Sequence, residues 1–250
     1  MNTTGNTILI TGGGSGIGRG MAEAFQKAGN QVVIAGRRRE VLDEVTKANP
    51  GMESAPLDIG DPASIREFAA VMARDYPGLN VVVHMAGIMK PEDLKASPGS
   101  TDDAEAMVAT NLLGPIRLTT ALLPLLRKQG HSTIMTVSSG LAFVPLAMTP
   151  TYSATKAAIH SYTVSLRHQL AGTSTEVIEL IPPYVQTHLM GEHQANDPRA
   201  MPLDEFLAEV MQILSARPTP IEVVVERCKP LRFAAESGGF DAVFGGLNAT

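Results

Sequence analysis

Nearly unbroken apolar runs of five to eight residues alternate along the chain with longer stretches whose apolar positions recur every three or four. The short runs are 7–11 (TILIT), 31–36 (QVVIAG), 52–58 (MESAPLD), 80–87 (NVVVHMAG), 132–139 (STIMTVSS) and 176–182 (EVIELIP), and they predict six strands. Most show little polar alternation, as parallel strands covered on both faces do. The longer stretches predict helices near 16–29, 38–48, 62–75, 102–129 and 150–171. Strands and helices alternating in this order predict an α/β fold: a single doubly wound (Rossmann) parallel sheet with helices on both faces. Ligands of such sheets bind beyond the carboxyl ends of the strands, where the strand order reverses.

After residue 187 the pattern changes to turn residues and exposed methionines, followed by a helical stretch, PLDEFLAEVMQIL. We expect a helical lid at about 188–218. At 219–222, TPIE offers a threonine N-cap, a proline at the first helical position and Glu222 to close a capping box. It predicts a helix to about Glu236, stopped by Ser237-Gly238-Gly239, within a helical C-terminal segment at about 219–250. No repeat or linker divides residues 1–250, so one domain is expected.

Charge narrows the partners. The chain has 250 residues, 44% of them hydrophobic, and a net charge of −5, yet Arg37, Arg38 and Arg39 stand in a row. Three arginines do not make the broad basic surface of a nucleic-acid binder, which leaves a solvated loop or a grip on one small anion. Cys228 is the only cysteine, which excludes an intrachain disulfide and a cysteine metal cluster. The first residues lack a basic segment followed by a long apolar one, and no run approaches 18 uninterrupted apolar residues. A soluble cytoplasmic protein with neither nucleic-acid nor membrane partners is the expectation.

The sequence TGGGSGIG (11–18) follows the first strand and opens the first helix. Gly12, Gly16 and Gly18 permit a tight turn, close approach to a pyrophosphate, and packing of helix on strand. Ser15 and Ile17 complete the turn, and the free amides of the helix start favour phosphate charge. An NAD site wants a carboxylate about 20 residues on, at the end of the second strand. Here that place holds Gly36, then Arg37 and Arg38, whose guanidinium forks match a 2′-phosphate. NADP(H) is therefore expected in preference to NAD(H). Asp58 and Ile59, at the end of the third strand, are candidates to face the adenine, with a turn-forming aspartate as the alternative.

Tyr152 and Lys156 stand four apart on one helix, and Ser139 lies thirteen residues upstream of the tyrosine. A neighbouring ammonium lowers a tyrosine pKa from about 10 toward the range of a general acid–base. With Asn111, these residues resemble the short-chain dehydrogenase/reductase superfamily. The likeness runs from residue 7 to about 190 through TGGGSGIG, LDI, AG (86–87), Asn111, SS, YSATK and PPYVQT.

The resemblance implies a proton donor or acceptor in Tyr152 and an orienting hydroxyl in Ser139. It implies that Lys156 lowers the tyrosine pKa and binds the nicotinamide ribose, and that Asn111 carries a relay to solvent. It also implies that Ala86 and Gly87 approach the adenosine ribose and that Pro182, Val185 and Thr187 anchor the carboxamide. His84 and Met85 stand where the family has paired asparagines, and His84 reads as a hydrogen-bonded structural residue. The family's closing strand is missing from the pattern. The C-terminus resembles instead a bacterial oxidoreductase subgroup associated with teichoic-acid D-alanylation.

The expected activity is reversible NADPH-dependent reduction of a ketone, hydrophobic or aryl, by a carbonyl reductase acting on a small molecule. Leu141, Tyr184 and Met190, with Phe143 and Leu189, are the candidate substrate walls. A non-catalytic NADP-binding sensor or scaffold, or an epimerase or dehydratase on the same frame, remain alternatives. A homo-oligomer, dimer or tetramer, is expected from the helices at 102–129 and 150–171.

Overall fold

All six apolar runs form strands in the computed structural model, which describes residues 1–96 and 99–249. They are β1 (Thr7–Thr11), β2 (Gln31–Gly36), β3 (Glu53–Pro56), β4 (Leu79–His84), β5 (Ser132–Val137) and β6 (Thr175–Ile181). A seventh, β7 (Glu222–Val224), pairs with β6. Every pairing is parallel, and the order is 3-2-1-4-5-6-7.

The register explains why the runs are apolar without alternation. Val33, Leu9, Val82, Ile134 and Val177 are partners in one row across the sheet and belong to one core layer. The next row, Ile34, Ile10, Val83, Met135 and Ile178, belongs to the opposite layer. Successive side chains point to opposite faces, and both faces are covered. Each such side chain contributes about 1.5–3 kcal/mol through burial.

Helices α1 (Gly16–Lys27) and α2 (Arg39–Ala48) cover the second row through Met21, Phe25, Leu42 and Val45. The first row is covered by α3 (Pro62–Asp75) and the long helical run beginning at Asp102, with Phe68, Met72, Leu118 and Leu122. The start of α3 is set locally: Asp61 accepts from the amides of Ala63 and Ser64, and Pro62 occupies the first turn.

The expected helix at 102–129 is interrupted. It consists of α4 (Asp102–Val108), a π-helical turn (Ala109–Leu113) and α5 (Gly114–Leu126), and Asn111 sits in the turn. By length and composition alone, Asp102–Leu126 could cross a bilayer. Here Leu118, Leu122 and Leu126 are buried in the core instead.

The expected continuous helix at 219–236 does not form: only Lys229–Arg232 within it is α-helical, and the closing strand that the pattern lacks is present as β7. A 3₁₀ turn (Glu226–Cys228) follows β7. Thr219 accepts a hydrogen bond from the Met1 ammonium, and Glu222 pairs with Arg232, so neither side chain serves a capping box. A cap contributes about 1 kcal/mol. The open edge of β6, together with complete burial of Val223 and Val225, outweighs it.

The remaining helices are α6 (Pro150–Gln169), α7 (Glu192–Ala195), α8 (Leu203–Leu214), α9 (Lys229–Arg232) and α10 (Phe240–Leu247). Within the expected lid, α8 packs into the core beside α1: Phe206, Val210 and Leu214 are fully buried.

Candidate active site

Strand order reverses between β1 and β4, and a cleft of about 740 Å³ opens along the carboxyl ends of the strands. Thr11 closes its floor. Its hydroxyl accepts from the amides of Met85 and Ala86, both at 3.1 Å, and donates to the carbonyl of Val83. This places the chain leaving β4 directly against the glycine turn. Gly12 has φ +69°, and a Cβ there would lie 2.8 Å from Ala86 Cα. A Cβ on Gly18 would lie 2.3 Å from the Gly12 carbonyl oxygen, so turn and helix start touch backbone to backbone. Gly16, φ +51°, faces Thr187. Ser15 is the N-cap of α1 and makes no side-chain cap bond, and the first turn of α1 carries no acidic residue. The amides at the start of the helix are thus free for an anion in the cleft.

Arg37 and Arg38 line the cleft where β2 ends and are exposed, with no ion pair among the described residues. Arg39, the first residue of α2, does not line it. Leu57 and Ile59 border the same end. Asp58 lies outside it: the carboxylate is exposed and accepts from the amide of Gly60 at 2.9 Å, closing a turn.

At the other end, Ser139, Tyr152 and Lys156 converge, all buried. Ser139 follows β5 and caps a short 3₁₀ turn, its hydroxyl accepting from Leu141 N, and it lines the cleft together with Tyr152. Lys156 Nζ donates to Val137 O at 2.8 Å and lies 5.6 Å from the centre of the Tyr152 ring. Burial pushes the Tyr152 hydroxyl up to about 12 and Lys156 down to about 8. The tyrosine therefore shifts opposite to the sequence expectation. Desolvation by burial outweighs the lowering by Ser139.

Asn111 lies behind the cleft rather than on its wall, between Ile88 and α6. It accepts from Ile88 N (2.9 Å) and donates to Ile88 O (2.8 Å) and Thr155 Oγ1 (3.3 Å). A Cβ on Gly87 would lie 3.4 Å from Asn111 Oδ1 and 3.9 Å from Lys156 Nζ, so the three meet around one glycine. Pro182, Val185 and Thr187 line the cleft after β6 with Ile17, Ala86 and Gly87.

The substrate-side residues divide. Met89 is buried with Met107 and Tyr152, and Leu141 and Met190 pack against that cluster without lining the cleft. Leu189 does line it. Tyr184 turns outward, donating to Asp197 Oδ2 at 3.3 Å. Phe143 lies under the Arg232 guanidinium and edge-on to His160. Among the described residues no aspartate or glutamate lines the cleft, whereas Arg37, Arg38, Lys90, Lys156 and His188 do.

Two features escaped the sequence reading. Thr11 is one, and a hydroxyl ending an apolar strand before the glycine turn was the available signal. The other is a buried chain: Ser138 donates to Glu179, a fully buried carboxylate on β6, which also bonds His160 Nδ1. No spacing signals it, because its members come from the end of β5, from β6 and from α6.

His84 is structural. Nε2 shares a 2.8 Å hydrogen bond with Thr119 Oγ1, Nδ1 has no partner among the described residues, and burial pushes the ring down to about 4. The neutral ring costs nothing above pH ~6.5; between about 6.5 and about 4 the unfolded chain takes up a proton that the folded chain refuses. Stability is thus lost as the pH falls through that window, by on the order of 3 kcal/mol. In denaturant titrations at about pH 7 and about pH 4.5, His84→Gln should remove this part of the acid sensitivity. An unaltered difference between the two pH values would show that the loss arises elsewhere.

The comparisons agree with this geometry. The family model for short chain dehydrogenase matches residues 6–198. The uncharacterized oxidoreductase DltE of Bacillus subtilis (strain 168) is 36% identical over 251 residues, covering 99% of this chain and 98% of that protein, so the likeness extends through the C-terminus. A short-chain dehydrogenase from Streptomyces avermitilis superposes with a TM-score of 0.80 at 27% identity, over 97% of this chain and 94% of that one. One from Burkholderia cenocepacia J2315, in complex with NADP, shares the fold over the whole of both chains, with a TM-score of 0.82 at 22% identity. The matched family model and the full-length relative establish that this chain belongs to the short-chain dehydrogenase family and is an oxidoreductase with the doubly wound sheet of that family.

Proposed function

We propose that the protein reduces the carbonyl of a small ketone with NADPH, reversibly, using Tyr152 as the proton donor. The observation that carries this reading is the buried pair of hydroxyls, Ser139 and Tyr152, at the end of a cleft whose other end is the glycine turn and two arginines. The glycine turn suits a dinucleotide: Gly12 and Gly18 let it pack backbone to backbone against Ala86 and the start of α1, leaving the helix-start amides open to a pyrophosphate. When bound, the nicotinamide supplies or accepts the hydride.

The chain's own residues supply the rest. Ser139 orients and polarises the carbonyl oxygen. Tyr152, held protonated by its burial, donates to that oxygen as charge develops on it. Lys156 holds ribose hydroxyls and, when charged, makes the tyrosine the stronger acid. Asn111 fixes Ile88 and shares Gly87 with the lysine, the arrangement from which a proton path to solvent starts. Arg37 binds the 2′-phosphate and Arg38 assists, while Pro182, Val185 and Thr187 border the nicotinamide. Ile88, Met89 and Leu189 give the substrate end an apolar wall suited to a hydrophobic or aryl ketone. Leu113 and Val164, 37% and 47% exposed on the helical run and α6, support a homo-oligomer built on those helices.

The test is a carbonyl panel followed at the reduced-cofactor absorbance with NADPH and NADH, on the wild type and Arg37→Ala. Ketones should be reduced, and the variant should raise KM for NADPH roughly 10- to 100-fold, as loss of a charge-assisted contact does, with NADH changed less than about twofold. Equal effects on both cofactors would return Arg37 to solvent. Conversion of a substrate with no net absorbance change would point to epimerisation or dehydration.

A further inference from the structure

We infer that the substrate carries a carboxylate, held by Lys90 at the end of the cleft beyond Tyr152; this deepens the carbonyl-reductase reading and rests on it. The segment leaving β4 runs along the cleft from Met85 to Lys90. It is clamped on both sides of the lysine. Ile88 is fixed through its amide and carbonyl by Asn111. Glu92 accepts from the amide (2.9 Å) and hydroxyl (2.8 Å) of Thr151, the residue before Tyr152, and its own amide donates to Met148 O. Two residues of chain span at most about 7 Å, so Lys90 is held within that distance of a residue bonded to the start of α6. Met89, the residue before it, is buried in the same cluster as Tyr152.

The side chain of Lys90 is exposed to the cleft and makes no ion pair among the described residues. Its nearest acidic neighbour in sequence, Glu92, has both oxygens engaged by Thr151. Arg37 and Arg38 lie at the cofactor end, and Lys156 is bonded to Val137 O. Lys90 is therefore a cation at the substrate end, in a cleft with no acidic wall residue among the described residues, on a chain whose net charge is −5. Such a placement focuses a positive potential onto the space beside the reacting carbonyl and draws an anionic substrate into it. A single ammonium suits a monoanion. His188, a further titratable residue lining the cleft, faces Glu192 at 3.2 Å.

The experiment uses the full chain with saturating NADPH and three aryl oxo acids, benzoylformate, benzoylacetate and 3-benzoylpropionate, each beside its methyl ester, with phenacyl phosphate as a fourth probe. At least one acid should show a KM about tenfold below that of its ester at similar kcat. Lys90→Gln should erase that difference by raising only the KM of the acid, and Lys90→Arg should retain it. Esters equal to or better than every acid, or a Lys90→Gln effect shared by acid and ester, would overturn the inference. Preference for phenacyl phosphate over all three acids would overturn the carboxylate assignment. If no acid or ester is reduced, the carbonyl-reductase reading fails. Binding then decides the anion site by itself: quenching of bound-NADPH fluorescence by the acids, dependent on Lys90, supports it, and its absence rejects it.

Discussion

Tyr152→Phe should lower kcat for carbonyl reduction about a thousandfold while leaving NADPH affinity within about twofold. The substitution removes one oxygen and keeps the ring that packs against Met89 and Met107, so the fold and cofactor cradle have no reason to move. What is lost is the hydroxyl proton that shares this end of the cleft with Ser139. Burial pushes that hydroxyl up to about 12, so in the free enzyme it is fully protonated at neutral pH and ready to donate. Ser139 would still hold the carbonyl oxygen, but water would have to supply the proton. Steady-state rates and a fluorescence titration of NADPH separate the two effects. Residual activity within about tenfold of wild type would mean that the proton comes from another group.

Gly12→Ala should abolish measurable NADPH binding and lower Tm by roughly 5–10 °C, the scale expected for a few kcal/mol of strain in a chain of this size. The added Cβ would stand 2.8 Å from Ala86 Cα and 3.0 Å from Ala86 N, both backbone atoms, at a φ of +69°. No side chain can rotate to make room, and Thr11 ties Ala86 in place through its amide. The turn and the chain leaving β4 must therefore part, which displaces two segments that both line the cleft. Gly5→Ala is the control. Gly5 has φ +72° but nothing within 4 Å of its Cβ, so it carries the conformational cost alone, about 1 kcal/mol, with cofactor binding intact. Wild-type NADPH affinity in Gly12→Ala would show that the contact with Ala86 does not shape the site.

Much of this molecule is legible along the chain because its parallel strands face two covered layers. Leu9 and Ile10 point in opposite directions into two cores, so β1 must be apolar at both positions, and the same holds for β2, β4, β5 and β6. The glycine turn is legible for a related reason: backbone contact leaves no alternative residue at Gly12 or Gly18. Where the reading departed from the structure, a local signal met a tertiary one. TPIE carries the marks of a helix start, but the unpaired edge of β6 and the pocket for Val223 lie far away in sequence. The charge four residues from the tyrosine predicts a lowered pKa, whereas the direction is set by burial among segments that the chain order does not bring together. Tyr184 turns toward Asp197 for the same kind of reason: an aromatic residue near a cleft in sequence need not face it.

The 3-2-1-4-5-6-7 order places the cleft across the seam between β1 and β4, so its walls come from both halves of the sheet. A ligand spanning that seam binds only when both halves are assembled, and its binding free energy adds to the cost of pulling them apart. At a cofactor concentration about a hundredfold above Kd, this amounts to about 2.7 kcal/mol. The lifetime of the protein in a cell would then follow the supply of the ligand that fills this cleft: chains left empty would be lost to proteolysis sooner, with no change in their synthesis.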